Sequence, residues 1–159
     1  MRATIALQEG LRDEDIQWLF QVGQQRVVEA GTAIVREGAR PSAIFVVIRG
    51  GFDVGVDALM GEPLARLGTG ELIGEISFLE GSPASATIVA DEESVVLVVN
   101  NQVLNERFRE NTAFAARMYR AFALVAERRL RNRVDHLAFL FDFANAFCDR
   151  RSSCIRALD

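Results

Sequence analysis

Residues 68–90 read G-T-G-E-L-I-G-E-I-S-F-L-E-G-S-P-A-S-A-T-I-V-A. Gly74 and Glu75 open a short apolar run that predicts one or two helical turns, and Gly81 and Pro83 end it. The backbone N–H groups at the start of such a helix lack acceptors within the helix and favour an anion, whereas the Glu75 carboxylate accepts hydrogen bonds from hydroxyls. The stretch therefore predicts a site for a phosphate beside a hydroxyl, which is the combination that a nucleotide presents.

The same stretch resembles the phosphate-binding cassette of the cyclic-nucleotide-binding domain family, the ligand domain of the catabolite activator protein and of the regulatory subunits of cyclic-nucleotide-dependent kinases. In that family a Gly-Glu pair starts the helix, the Glu holds the ribose 2′-hydroxyl, and an Arg about nine residues later pairs with the cyclic phosphate. The residues that match this pattern in order are Gly74, Glu75, Ser85, Ala86 and Thr87. Ala84 stands in place of the arginine, which removes the charged donor of a bidentate phosphate contact.

The resemblance implies a binding site for cyclic AMP or cyclic GMP in the cassette. Its residues are Gly74, Glu75, Ile76, Ser77, Ala84, Ser85, Ala86 and Thr87. A charged hydrogen bond to phosphate contributes on the order of 1.5 to 3 kcal/mol, so its loss reduces affinity by roughly 10- to 150-fold. Three arginines on strand ends or turns are candidates to replace the missing cation, namely Arg40, Arg49 and Arg66.

The fold predicted from the strand and turn signals is mainly β with flanking helices. We expect an eight-stranded antiparallel β-roll, similar to a jelly roll, with a short N-terminal helix at residues 11–22, a short cassette helix and a long C-terminal helix. Some eight short strands at spacings of about 8 to 12 residues are typical of such a roll. The segments with the clearest bounds are residues 25–29, 32–36, 43–49, 52–56, 64–67, 86–90 and 94–99.

Glycine and proline divide the chain into two parts. All 12 glycines and all 3 prolines lie at or before Pro83, so residues 101–159 contain no residue that breaks a helix. We therefore predict a β-roll with its N-terminal helix at residues 1–100 and a long helical segment at residues 101–159.

Two apolar stripes follow the predicted C-terminal helix. The first consists of Leu104, Phe108, Ala115, Met118, Phe122 and Val125. The second has the 4-3-4-3-4 spacing of a coiled coil and consists of Leu130, Val134, Leu137, Phe141, Ala144 and Cys148. In the family that the cassette resembles, the long C-terminal helix pairs two subunits, so we predict a homodimer held by this helix. The alternative is that the helix packs on its own β-roll.

Composition argues against several classes of protein. No apolar run approaches the roughly 18 residues of a membrane helix, and the first seven residues are too short an apolar run for a signal peptide, so we expect a cytoplasmic chain without a membrane span. The two cysteines, Cys148 and Cys154, argue against a disulfide framework. A single histidine, His136, argues against a cupin-type metal site. No catalytic constellation is evident, so we expect neither an enzyme nor a cofactor.

The charge is unevenly distributed along the chain. Residues 1–100 hold 15 acids and 7 arginines, a charge of −8, whereas residues 101–159 hold 7 acids and 11 arginines, a charge of +4. A basic half can indicate nucleic acid, or it can dock on the acidic half or face solvent. The residues after Leu137 are too few and too aromatic for a helix-turn-helix, so we expect no direct DNA binding.

Two functional hypotheses follow. The first is a regulatory module that senses cyclic AMP or cyclic GMP and signals through its C-terminal helix. The second is a family member that has lost the nucleotide and serves as a constitutive dimerisation or adaptor domain, or that binds another ligand.

Overall fold

The computed structural model describes residues 9–55 and 63–155, and it describes side chains as far as residue 133. The helices are α1 (Asp13–Val22), α2 (Glu75–Glu80), α3 (Asn101–Glu110) and α4 (Thr112–Ile155). The strands are β1 (Gln24–Val28), β2 (Ala33–Val35), β3 (Ala43–Arg49), β4 (Gly51–Gly55), β5 (Ala65–Gly68), β6 (Leu72–Ile73), β7 (Thr87–Ala90) and β8 (Ser94–Asn100).

The eight strands form two four-stranded antiparallel sheets. The strand order is β1-β8-β3-β6 in the first sheet and β2-β7-β4-β5 in the second. Together with the N-terminal helix, the short cassette helix and the long C-terminal helix, this arrangement confirms the predicted β-roll.

Strand β6 is absent from the strands whose bounds the sequence predicts. Its two residues, Leu72 and Ile73, pair with Val46 and Phe45 of β3 and are both buried. A two-residue segment is too short to show the alternation by which strands are recognised.

Strand β3 lies at the centre of the fold and is buried on both faces. Ile44 and Val46 belong to one hydrophobic core, whereas Phe45 and Val47 belong to another. Because successive strand residues point to opposite faces, a strand with a core on each side is apolar throughout. This double burial explains the uninterrupted run of residues 43–48.

The two cores lie on opposite faces of the first sheet. The core between this sheet and the helices includes Leu19, Leu97, Val99, Phe114, Met118 and Phe122. The core shared by the two sheets includes Val28, Val35, Phe52, Leu67, Ala84, Ala90 and Val96. Trp18 is half-buried and packs on the first core, with its ring edge-on to Phe114 at 5.0 Å between centroids.

The helical segment predicted at residues 101–159 is interrupted once, between α3 and α4. Asn111 has φ −138° and ψ 91°, outside the helical range, and its Oδ1 accepts a hydrogen bond from the Phe114 N–H at 2.8 Å. A side chain that accepts from the third N–H of a helix is an N-cap, so α4 begins anew at Thr112. The sequence does not predict this break, because neither Gly nor Pro lies near it.

The first apolar stripe is buried against the chain's own β-roll. Its residues Leu104, Phe108, Ala115, Met118, Phe122 and Val125 are all members of the core formed with the first sheet. The second stripe lies outside the described side chains from Val134 onward, as do His136, Cys148 and Cys154. Its first residue, Leu130, is 65% exposed.

The chain forms two compact units, Met1–Val125 and Ala126–Asp159. The first unit contains both sheets, α1 to α3 and the first turns of α4. Strand β8 ends at Asn100, and α3 begins at the next residue. Among the described residues, none of the helices combines the length and apolarity needed to cross a lipid bilayer.

Candidate functional site

Gly74 sets the direction in which α2 leaves β6. It adopts φ 90° and ψ 1°, in the left-handed region, and a Cβ at this position would lie 3.2 Å from the Ala43 carbonyl oxygen. Glycine meets both constraints because it has no Cβ. The Phe78 N–H donates to the Gly74 carbonyl at 3.0 Å, so the N–H groups of residues 75–77 precede the first hydrogen bond within the helix.

Glu75 is the first residue of α2 and is only 1% exposed. A carboxylate buried to this degree is stable only with hydrogen-bonding or charged partners.

The remaining residues of α2 divide between solvent and the helices behind it. Ile76 and Leu79 are 43% and 45% exposed. The ring of Phe78 meets Phe108 of α3 edge-on at 5.7 Å and Phe122 of α4 at 5.9 Å. Aromatic contacts of this kind hold one face of α2 against both helices.

The second half of the cassette, residues 84–87, is hydrogen-bonded to the turn at residues 37–39. The Ala84 N–H donates to the Ala39 carbonyl at 2.7 Å, and the Ala84 carbonyl accepts from the Gly38 N–H at 2.8 Å. The Thr87 Oγ1 accepts from the Glu37 N–H at 3.0 Å. These three hydrogen bonds fix the path of the chain from Ala84 into β7.

Ala84, the residue at which the resemblance predicts a missing arginine, is 8% exposed. It belongs to the apolar core shared by the two sheets, together with Phe52 and Ile73. The neighbouring Ser85 is exposed and Ala86 is half-buried. A longer side chain at residue 84 would therefore start from the interior of the roll.

The eight predicted site residues fall in two segments of the structure. Gly74, Glu75, Ile76 and Ser77 form the start of α2, and Ala84, Ser85, Ala86 and Thr87 form the approach to β7. Ile76 and Ser85 expose their side chains to solvent, whereas Glu75 and Ala84 are buried.

Two of the three candidate replacement arginines are engaged elsewhere. Arg49 lies 3.4 Å from Glu93, and Arg66 lies 2.5 Å from Asp91. Both acids belong to the turn after β7, at the opposite end of that strand from Thr87. These two arginines thus face away from the cassette end of β7.

Arg40 is the candidate that contacts the cassette. Its Nη1 donates to the Gly81 carbonyl at the end of α2. It lines a groove that shares only Ser77 with the predicted site, so it contacts α2 at a different place from Glu75.

Arg26 is a further cation near the cassette core that was not among the predicted replacement arginines. Its guanidinium lies 5.6 Å from the centre of the Phe45 ring, and Phe45 and Ala84 belong to the same core. Val28 of the same strand is buried in that core, so alternation places Arg26 on the inner face of the first sheet. The alternation relative to Val28 is the signal that could have identified it.

The β-roll, with the left-handed glycine and the buried acid at the start of α2, has the fold of a catabolite-activator-type domain. A family model described as "Cyclic nucleotide-binding domain" matches residues 25–111, more than half of the 159 residues. The chain belongs to the cyclic nucleotide-binding domain family.

Solved structures agree with this assignment. A cyclic nucleotide-binding domain from Methylobacillus flagellatus superposes with a TM-score of 0.73 at 21% identity, over 79% of this chain and 72% of that one. The catabolite activator protein of Thermus thermophilus superposes with a TM-score of 0.67 at 29% identity, over 85% and 62% of the two chains.

Curated relatives extend beyond the matched region. The chain is 28% identical over 108 residues to the cAMP-dependent protein kinase regulatory subunit of Blastocladiella emersonii, covering 62% of this chain and 25% of the relative. Across the first three curated relatives, the chain spans 25% to 39% of their length.

Proposed function

We propose that this chain is a regulatory ligand-sensing module that binds cyclic AMP or cyclic GMP weakly and signals through its C-terminal helix. The observation that carries the proposal is the pairing of Gly74, held in the left-handed region, with the buried carboxylate of Glu75 at the first turn of α2. A backbone shape that only glycine readily adopts, next to a buried acid, is typical of a site kept for a ligand.

The cassette offers a role for each part of a cyclic nucleotide. The cyclic phosphate would lie against the N–H groups of residues 75–77, and Glu75 would accept the ribose hydroxyl. Ser85 and Thr87 would supply hydroxyl groups from the other segment. Since Ala84 provides no cation, we expect dissociation constants of tens to hundreds of micromolar, about one to two decades weaker than with a charged donor.

The output would pass from α2 to the helices behind it. Phe78 of the cassette touches one residue of α3 and one of α4, so a ligand that shifts α2 would change the packing of both helices. We place the module in the cytoplasm as a homodimer and as a non-enzymatic part of a signalling pathway, with no direct contact to DNA.

A second function is favoured by the burial of Ala84. Its methyl group fills part of the core between the sheets, as a packing residue would. A family member of this kind would have given up the nucleotide and would serve as a constitutive dimerisation or adaptor domain, or bind another ligand.

Calorimetry separates the two functions. We expect isothermal titration of the full chain, at about 100 μM or more, to give saturable binding of cyclic AMP or cyclic GMP. If neither nucleotide gives saturable heat, the sensing function is refuted and the adaptor function is favoured.

A further inference from the structure

A polar groove lies on the face of α2 that does not carry Glu75. It has a volume of about 210 Å³ and is lined by Arg40, Pro41, Ser77, Phe78, Gly81, Ser82, Asn101 and Asn105. Ser77, Phe78 and Gly81 share one side of the helix, because residues separated by one and four positions lie close together around its axis. The groove is therefore enclosed by three segments, namely the turn at residues 40–42, the cassette helix and the start of α3.

The lining of the groove carries one positive charge, and the Glu80 carboxylate lies beside the lining residue Ser82. Arg40 is the one ionisable residue of the lining, and its Nη1 donates to the Gly81 carbonyl, which ties the guanidinium to the end of α2. A guanidinium has five N–H donors, so most of them remain for an anion in the groove. The side chains of Ser77 and Asn105 add neutral donors from two further elements.

Asn101, one of the lining residues, has a buried acceptor. Its Nδ2 donates to the Pro41 carbonyl at 3.0 Å, which fixes the orientation of the carboxamide. Its Oδ1 is buried and has no hydrogen bond within the part of the chain that the structure describes. A buried carbonyl oxygen without a donor is costly, so a molecule in the groove gains by offering it a hydroxyl.

Ser82 offers an acceptor of the same kind at the rim. Its hydroxyl donates to the Glu80 carboxylate at 2.9 Å, so the hydroxyl oxygen is left to accept. The groove thus contains one cation with neutral donors beside it, and two acceptors, on Asn101 and Ser82.

We propose that this groove binds a small hydroxylated oxyanion, whose phosphate or carboxylate pairs with Arg40 and whose hydroxyl donates to Asn101. The volume is below the roughly 300 Å³ at which pockets for drug-sized ligands begin, so the ligand is a small metabolite rather than a nucleotide. The groove is distinct from the cassette site around Glu75, and this proposal stands whether or not the chain binds cyclic nucleotides.

Titration calorimetry of the full chain with four probes tests the proposal. Glycerol 3-phosphate and glycerate carry the same hydroxyl arm on a phosphate and on a carboxylate, whereas inorganic phosphate lacks the arm and glycerol lacks the charge. We expect one of the two hydroxylated anions to bind with a dissociation constant of roughly 1 mM or tighter, and about tenfold more tightly than phosphate or glycerol.

Two variants assign the binding to the groove. Arg40→Gln removes the cation, and Asn105→Asp places a like charge beside the anion without removing a hydrogen bond that holds the fold. Each substitution should weaken the binding of the hydroxylated anion by about tenfold or more. The matched controls are Arg36→Gln, an exposed arginine of the same turn region, and Gln17→Glu, an exposed site on α1. Both controls should bind as the unmodified chain does.

Three results would overturn the proposal. One is the absence of saturable binding by either hydroxylated anion at about 10 mM, where a site of the expected affinity would be nearly filled. Another is unchanged binding in both Arg40→Gln and Asn105→Asp. The third is binding that is lost in Glu75→Gln but kept in Arg40→Gln, which would place the anion in the cassette site.

Discussion

Asp15 of α1 and Arg117 of α4 form a two-pronged ion pair across 102 positions of sequence. Nε of Arg117 donates to one carboxylate oxygen at 2.6 Å, and Nη2 donates to the other at 2.7 Å. The Asp15 side chain is 4% exposed and that of Arg117 is 20% exposed. The Arg12 N–H adds a third hydrogen bond to the carboxylate at 2.9 Å. The N-terminal helix is thereby fixed to the first turns of α4 by charge as well as by apolar packing.

Breaking this pair should destabilise the fold. Asp15→Asn removes the negative charge but keeps the shape, and it leaves the guanidinium of Arg117 without its charged partner. We expect the melting temperature to fall by several degrees. Glu14→Gln is the matched control, because Glu14 is 67% exposed and lies 3.8 Å from Arg117. An equal fall in both variants would show that the loss of net charge, and not the pair, is responsible.

The pair also predicts a pH dependence of stability. The hydrogen bonds from Arg117 outweigh the effect of burial and, with the Arg12 N–H, hold the pKa of Asp15 below its ordinary value of 3.8. The contribution of a carboxyl with a lowered pKa is complete above that ordinary value and is lost as pH falls through the lower folded-state pKa. Urea unfolding between about pH 5 and pH 2 should thus show a steeper loss of stability in the unmodified chain than in Asp15→Asn. Parallel pH profiles would contradict this assignment.

Gly74→Ala should lower the stability of the fold for two reasons. A non-glycine residue in the left-handed region costs roughly 1 to 2 kcal/mol, and here the added Cβ would also crowd the Ala43 carbonyl. Gly31→Ala is the control, since Gly31 has φ 83° but open space where its Cβ would be. Denaturant unfolding should therefore show a larger loss of stability at residue 74 than at residue 31. Equal losses would mean that the neighbouring backbone yields to the methyl group.

Ala84→Arg tests whether the cassette keeps the shape of a nucleotide site. If it does, the new guanidinium reaches the cyclic phosphate and raises nucleotide affinity by about one to two decades. Gln17→Arg is the control, because it adds the same charge at an exposed position of α1, outside the cassette. Glu75→Ala combined with Ala84→Arg should cancel part of the gain. A lower melting temperature in Ala84→Arg without any response to nucleotide would instead indicate a guanidinium buried in the core, in favour of the adaptor function.

The homodimer remains a prediction from the coiled-coil spacing of the second stripe, although the exposure of Leu130 is what an interface residue would show. Leu137→Asp with Phe141→Asp would bury charges in the seam and should convert a dimer into a monomer in sedimentation velocity. Asn132→Asp, at an exposed position of the same helix, should leave the dimer intact. Sedimentation of the unmodified chain as a monomer would refute the prediction.

The sequence predicted those parts of the fold that have a local signal. The strand at residues 43–49 was predicted with its observed bounds, because its apolar run ends sharply at Arg49 and the glycine turn. The cassette helix was predicted from Gly74 and Gly81, which cap it in the structure. By contrast, β6 and the break at Asn111 depend on pairing and capping that involve one or two residues, which periodicity cannot detect.

The site was harder to predict than the fold, because its chemistry depends on which face each side chain occupies. The sequence identified Glu75 as a hydrogen-bond acceptor but did not indicate its burial. It proposed Arg49 and Arg66 as replacement cations, although both contact the acidic turn after β7. Arg26 lies on the inner face of the first sheet but is exposed, because β1 is an edge strand. It was missed because it is separated from the cassette by some fifty residues and is brought near the same core only by strand pairing.

The cap at Asn111 divides the helical segment into two cooperative units of helix formation. Helix propagation passes from residue to residue, and a residue outside the helical range stops it. Loss of the terminal turns of α4 can therefore spread no further back than Thr112, and the amides of α3 should exchange with solvent only when the core beneath them opens. The break thus separates α3, one of the two helices that Phe78 of the cassette contacts, from fraying at the end of α4.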